Sequence, residues 1–147
     1  IVLVQNPSHF MLPPAESAFM QAHDLQPLAG VLADGIPLAL GSDGPPSPWL
    51  NMMFAVAPAS RPEQALTREQ ALRAYTSGSA YAEFSEHEKG KLARGYLADM
   101  AVLSQDVLDD AVPLQALPGT TSLLTMINGE VAWRDPAFQS TPQVTAP

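Results

Sequence analysis

The chain has 147 residues, 46% of them hydrophobic, and carries a net charge of −8 from 15 acids against 7 bases. That hydrophobic share argues against wholesale disorder and suits one modest domain or parts of two. With no Lys/Arg cluster, neither a nucleic-acid backbone nor an anionic membrane surface is expected as partner.

No apolar run approaches the roughly 20 residues that span a bilayer. Cysteine is absent, which removes disulfides, thiolate metal sites and thiol nucleophiles together. Compartment stays open, with the cytoplasm as the default. The chain starts inside an apolar run with no initiating Met, so a gene product extending upstream is expected.

Ile1 to Gln5 is β-branched and apolar and is stopped by Asn6-Pro7, which predicts a first buried strand. Pro13-Pro14 breaks the chain before a helix over Ala15 to His23, with Phe19 and Met20 as its apolar contacts. A second short helix is expected over Leu25 to Ala33, stopped by Asp34-Gly35. Ile36 to Leu40 is a short apolar run bounded by turn formers, and reads as a second buried strand. Strand, helices, strand in that order suggests a βαβ unit with a parallel pair.

The second strand runs into Gly41-Ser42-Asp43-Gly44-Pro45-Pro46, where two prolines force the chain out of the sheet. Asp43 thus falls at a strand's carboxyl end, where parallel α/β folds place their chemistry. Position alone leaves two readings open: a turn or helix cap, or a carboxylate that binds metal or takes a proton from water. His9 follows the first strand and could reach the same face as Asp43. His23 and His87 fall in helical and connecting regions and read as surface residues. No histidine has a partner at metal-ligand spacing, and Ser42 lacks a nucleophile elbow.

Ser47-Pro48 is a hydroxyl cap with Pro at the first helical position, opening a helix to about Val56 that is apolar nearly all round. Its Trp49, Met52, Met53 and Phe54 suit either core packing or a pocket above Asp43. Thr67-Arg68-Glu69-Gln70 is a capping-box pattern. Its helix carries Ala71, Leu72 and Tyr75, is expected to end near Ser77-Gly78, and precedes one more turn over Ala80 to Phe84. Residues 83–91 form a mixed charge run, read as a solvated face.

Beyond Gly90 the texture changes. Gly95 to Leu103 leads into a strand, and Gln105 to Pro118 reads as a polar excursion. Thr120 to Ile127 and Glu130 to Trp133 flank Asn128-Gly129, the strongest short hairpin signal. The last third is therefore expected to be antiparallel β, with a loose tail over 139–147.

In order, residues 35–43, 66–76 and 88–103 resemble the C-terminal part of the amidohydrolase superfamily, in the branch called amidohydrolase family 3. The first resembles the eighth barrel strand with its terminal Asp43. The second resembles the helix that follows, and the third, with Ala98-Asp99 before Met100 to Leu103, the return into a small β domain. Thr125 to Val131 is similar to that domain's closing hairpin. The resemblance implies an α/β fold: the C-terminal portion of a (β/α)8 metal-dependent hydrolase barrel over 1–88, holding the last two strands and their helices. Part of a small composite β-sandwich domain over 89–138 and a flexible tail over 139–147 complete the division.

It also implies hydrolysis of amide or cyclic amide C–N bonds of a small molecule by metal-activated water. Asp43 would be metal ligand and general base, and Asp99 a structural cap into the strand. His9, from its place after the first strand and not from the resemblance, is the candidate substrate-binding residue. The divalent metal, expected to be zinc, would bind in the complete enzyme and not to this chain alone. A full barrel takes about 250 residues, and a catalytic zinc takes three protein ligands. Most of the implied site is therefore missing here, and the chain alone is expected to be inactive, with the missing N-terminal barrel portion or another copy of itself as partner. The alternative is a free-standing, non-catalytic interaction or assembly module derived from such an enzyme.

Overall fold

The computed structural model describes residues 1–11, 14–23 and 25–138. The expected tail at 139–147 lies outside the described residues, as do Pro13 and the side chain of Met20. Strand β1 (Leu3–Gln5) is followed by a 3-10 turn (Pro7–Met11) and helices α1 (Pro14–Ala22) and α2 (Leu28–Ala33). Strand β2 (Leu38–Leu40) then leads to α3 (Pro48–Val56), α4 (Arg68–Arg73), a π-turn (Ala74–Gly78) and α5 (Ser79–Ala82). The chain closes on β3 (Met100–Leu103), β4 (Ser122–Ile127) and β5 (Glu130–Arg134). This is a mixed helix–strand architecture, consistent with α/β.

β1 and β2 pair in parallel, Leu3 against Leu38, Val4 against Ala39 and Gln5 against Leu40. β1 lacks the first two residues of the apolar run that foreshadows it, and β2 starts after Pro37, which cannot donate to a ladder. β2 is buried along its length, as a strand covered on both faces must be. Helix α2 begins at Leu28 rather than Leu25. Gln26 takes a left-handed backbone with φ +58°, and Pro27 follows it. Gly35, at φ +70°, ends the stretch as expected.

Both helix caps read from sequence are present. Ser47 Oγ accepts the Leu50 N–H at 3.3 Å. Thr67 Oγ1 accepts from Gln70 N–H at 3.1 Å, while Gln70 Oε1 accepts from Thr67 N–H at 2.8 Å. Helix α4 does not stop near Gly78. It passes through the π-turn into α5, and this shift seats Gly78 against β2. A Cβ at Gly78 would lie 2.2 Å from the Leu38 carbonyl oxygen, so only glycine allows that approach.

Phe10, Leu28, Val31, Leu38, Leu40, Met52 and Leu66 form the heart of the core. Each such side chain contributes about 1.5–3 kcal/mol of burial. Met52 is fully buried, with Trp49, Met53 and Phe54 packed against the same cluster. Phe19 departs from expectation: its ring is exposed and lies 4.3 Å from that of His23.

β3, β4 and β5 form a separate antiparallel sheet. The Asn128-Gly129 turn joins β4 to β5 with both residues at positive φ, +50° and +81°, as a type I′ turn requires. Asp99 Oδ1 accepts the Asn128 N–H at 2.7 Å, so that carboxylate ties the start of β3 to the hairpin tip. The stretch from Gln105 to Pro118 is no mere polar excursion. Val107 and Leu117 are buried in the same core as Leu28 and Met52. Arg68, itself buried, donates to the carbonyls of Val107 at 3.2 Å, Asp109 at 2.8 Å and Val112.

Candidate functional site at the ends of the parallel strands

β1 and β2 run side by side, so their carboxyl ends deliver the next residues to one place. The 3-10 turn after β1 presents His9, and the Gly41-Ser42 step after β2 presents Asp43. His9 Nε2 lies 3.4 Å from Asp43 Oδ2. The Asp43 side chain is 76% exposed and therefore open to a ligand, while His9 is half-buried. Asp43 has φ +23°, a left-handed backbone that Asp tolerates better than most residues. Ser47, not Asp43, caps the following helix, which removes the helix-cap reading of Asp43.

Three side chains outside the pair brace it. Ser8 Oγ donates to the Ser42 carbonyl at 3.2 Å, joining the two arms just before His9 and Asp43. Asn51, fully buried in α3, accepts from Ser8 N–H at 2.9 Å and donates to the carbonyls of Ser47 at 3.0 Å and Pro45 at 3.3 Å. Tyr75, in the π-turn, donates to the Gly41 carbonyl at 3.0 Å. Burial pushes the Tyr75 hydroxyl well above its usual range. Gly44 allows close packing here, since a Cβ would meet Ser8 Oγ at 3.2 Å.

Gln26 completes the setting. Its Oε1 accepts the Asn6 N–H at 3.1 Å, and its Nε2 lies 3.2 Å from His9 Nδ1. A cavity of about 820 Å³ opens beside His9, lined by Gln5, Glu16, Phe19, Leu25 and Gln26 among others. Trp49 lines a different cavity, beside Tyr75 and Met100. His23 and His87 are exposed, and neither joins Asp43; His87 instead lies 3.6 Å from Glu86.

The donor set here is one imidazole and one carboxylate. Among the described residues no group of three or more His, Cys, Asp or Glu could hold a metal ion. The described residues therefore do not by themselves fit a catalytic metal. Nor, among the described residues, is any helix long and apolar enough to cross a membrane.

Sequence reasoning missed Ser8, Gln26, Asn51 and Tyr75 as parts of this setting. A signal for Asn51 was present, since a lone amide within an apolar helix must find buried partners. Gln26 and Ser8 carry no local signal, because their contacts come from residues far along the chain.

Paired parallel strands whose carboxyl ends bring together an exposed carboxylate and an imidazole give an arrangement consistent with an α/β protein. Residues 7–132 match the amidohydrolase family, and the chain belongs to that family, in the branch called amidohydrolase family 3. It is 34% identical over 119 residues to YtcJ of Bacillus subtilis strain 168, whose name assigns it to the amidohydrolases, covering 70% of this chain and 21% of that protein. It is 34% identical over 96 residues to the N-substituted formamide deformylase of Arthrobacter pascens, covering 59% of this chain and 18% of the relative. Among solved structures, it is similar to an uncharacterized metal-dependent hydrolase from Pyrococcus furiosus, with 26% identity and a TM-score of 0.63 over 74% of this chain and 24% of the other. The chain thus spans about a fifth of the length of the curated relatives it matches.

Proposed function

We propose that this chain is the C-terminal portion of a metal-dependent amidohydrolase that cleaves amide or cyclic amide C–N bonds of a small molecule. Residues 1–88 supply the last two strands and helices of a (β/α)8 barrel, and residues 89–138 part of a small β-sandwich domain. In the complete enzyme Asp43 is a ligand to a divalent ion, zinc being favoured, and the general base for the attacking water. Such an ion lowers the pKa of a bound water toward neutrality. His9 sits beside Asp43 as a substrate-binding residue.

The observation that carries this reading is the 3.4 Å approach of His9 to Asp43 at the carboxyl ends of two parallel strands. Membership of the amidohydrolase family supports the reaction class. The small share of each relative that is covered supports a partner supplying the rest of the barrel, or self-association in its place. β1 has one hydrogen-bonded neighbour in its sheet among the described residues, and Val4 on it is exposed, which leaves an edge for such a partner.

The test is to produce this chain together with the missing N-terminal part and measure metal content and amide hydrolysis. Asp43→Asn keeps the side chain's size and its tolerance of the left-handed backbone. It is expected to lower turnover by about 10²–10⁴-fold, the range of a lost general base. Turnover equal to that of the unaltered enzyme would remove Asp43 from the mechanism.

A second reading, a non-catalytic assembly module derived from such an enzyme, is favoured by the incomplete donor set among the described residues. It predicts a chain that folds cooperatively by itself and takes up no metal by elemental analysis. It is sunk if joining the N-terminal part yields a hydrolase.

A further inference from the structure

We infer that Gln26 is a positioning residue that fixes the hydrogen of neutral His9 on Nε2, making His9 a donor toward Asp43 and not a metal ligand. This rests on the reading above only in taking Asp43 as a site residue. The backbone N–H of Asn6 can only donate, and it meets one end of the Gln26 amide at 3.1 Å. That end must therefore be the oxygen, which turns the NH2 group toward His9 Nδ1 at 3.2 Å. An NH2 group donates, so Nδ1 must accept and carry no hydrogen. The single hydrogen of a neutral imidazole then resides on Nε2, the atom 3.4 Å from Asp43 Oδ2.

A metal needs a ring nitrogen with a free lone pair. Nδ1 spends its lone pair on Gln26, and Nε2 has its own committed to the ring. His9 is thereby withdrawn from any ligand set, and its role is to present an N–H beside the Asp43 carboxylate. The backbone agrees with a side chain held in place. Gln26 sits at φ +58°, a conformation uncommon for a residue of its kind, between β1's turn and the start of α2.

The experiment is a long-range proton–nitrogen correlation spectrum of the 147-residue chain labelled with ¹⁵N in histidine. His9→Asn identifies the His9 signals among the three histidines. The unaltered chain is expected to show a protonated Nε2 and an unprotonated Nδ1 at His9. Gln26→Glu keeps an oxygen for Asn6 N–H but sets a second oxygen against Nδ1, and the hydrogen is expected to appear on Nδ1. Gln26→Leu removes both contacts, and the two tautomers are expected to average. Zinc added to the unaltered chain is expected to leave Nε2 protonated.

An averaged or Nδ1-protonated His9 in the unaltered chain overturns the inference. So does an unprotonated Nδ1 in Gln26→Glu, or conversion of Nε2 to a metal-bound nitrogen by zinc. Should Gln26→Leu fail to fold, the comparison of the unaltered chain with Gln26→Glu decides. The nitrogen pattern is read without substrate or turnover. An Asp43→Asn result that defeats the hydrolase reading therefore leaves this test standing, and the reverse also holds.

Discussion

Asn51 Oδ1 accepts the backbone N–H of Ser8 at 2.9 Å from within an otherwise apolar helix. The same amide holds the carbonyls of Pro45 and Ser47. One buried side chain thus fastens the segment that carries His9 to the loop that follows Asp43. Asn51→Leu keeps the number and branching of side-chain heavy atoms but strands the Ser8 N–H in the core. A loss of about 3 kcal/mol is expected, the upper range for a buried unsatisfied donor, read as a shifted denaturant midpoint. An unchanged midpoint would show that Ser8 finds another acceptor.

Arg68 gathers three carbonyls from the segment after β3. A lysine ammonium lacks the planar fork that reaches all three at once. Arg68→Lys is expected to cost about 2 kcal/mol, the range for lost hydrogen bonds to a charged group. The Arg68–Asp110 contact at 3.5 Å contributes little, because the Asp110 side chain is 99% exposed. Asp110→Ala is accordingly expected to leave thermal unfolding unchanged, and a comparable loss in both variants would contradict the assignment.

Gly78 and Gly119 make a matched pair of substitutions. A methyl group at Gly78 would collide with the Leu38 carbonyl at 2.2 Å, whereas one at Gly119 meets nothing within 4 Å. Gly78→Ala must push the π-turn and β2 apart, at a cost of about 1–3 kcal/mol or more. Gly119→Ala is expected to be neutral or mildly stabilising. Equal melting temperatures for the two variants would show that the π-turn yields freely.

Tyr75 gives the fold a dependence on alkaline pH. Burial raises its hydroxyl above the usual value of 10.0, so the native state keeps its proton to higher pH than the unfolded chain does. The resulting stability is complete below about pH 10 and is lost as pH rises beyond it. At neutral pH, Tyr75→Phe is expected to cost about 1 kcal/mol through loss of the bond to Gly41. Above about pH 10 the gap to the unaltered chain narrows, since phenylalanine has no proton to lose. A gap independent of pH would place the ionisation elsewhere.

What the sequence made legible was local. Asn128-Gly129 names its own turn, Thr67 and Gln70 name their capping box, and Ser47-Pro48 names a helix start, each through residues within a few positions of one another. The strand identity of 36–40 was equally plain, though Pro37 trimmed its ladder. What escaped depended on partners distant in the chain. Nothing near Gln26 announces that Asn6 and His9 will meet its amide, and nothing near Gly78 announces the Leu38 carbonyl. Val107 and Leu117 looked like incidental apolar residues in a polar loop because the core they enter is built by Leu28 and Met52. The approach of His9 to Asp43 was foreseeable only by assuming that β1 and β2 run parallel, which the intervening helical material made reasonable.

The clasp between Arg68 and the segment after β3 also bears on how the molecule can be divided. Residues 1–88 and 89–138 differ in texture, and a protein engineer would be tempted to part them at that seam. Yet Val107 and Leu117 lie in the core of the first portion, and three of the later segment's carbonyls depend on Arg68. Severing the backbone between them would yield two polypeptides that each lack a surface the other completes. Because the two portions share a core and this clasp, they are better transplanted, tagged or recombined together.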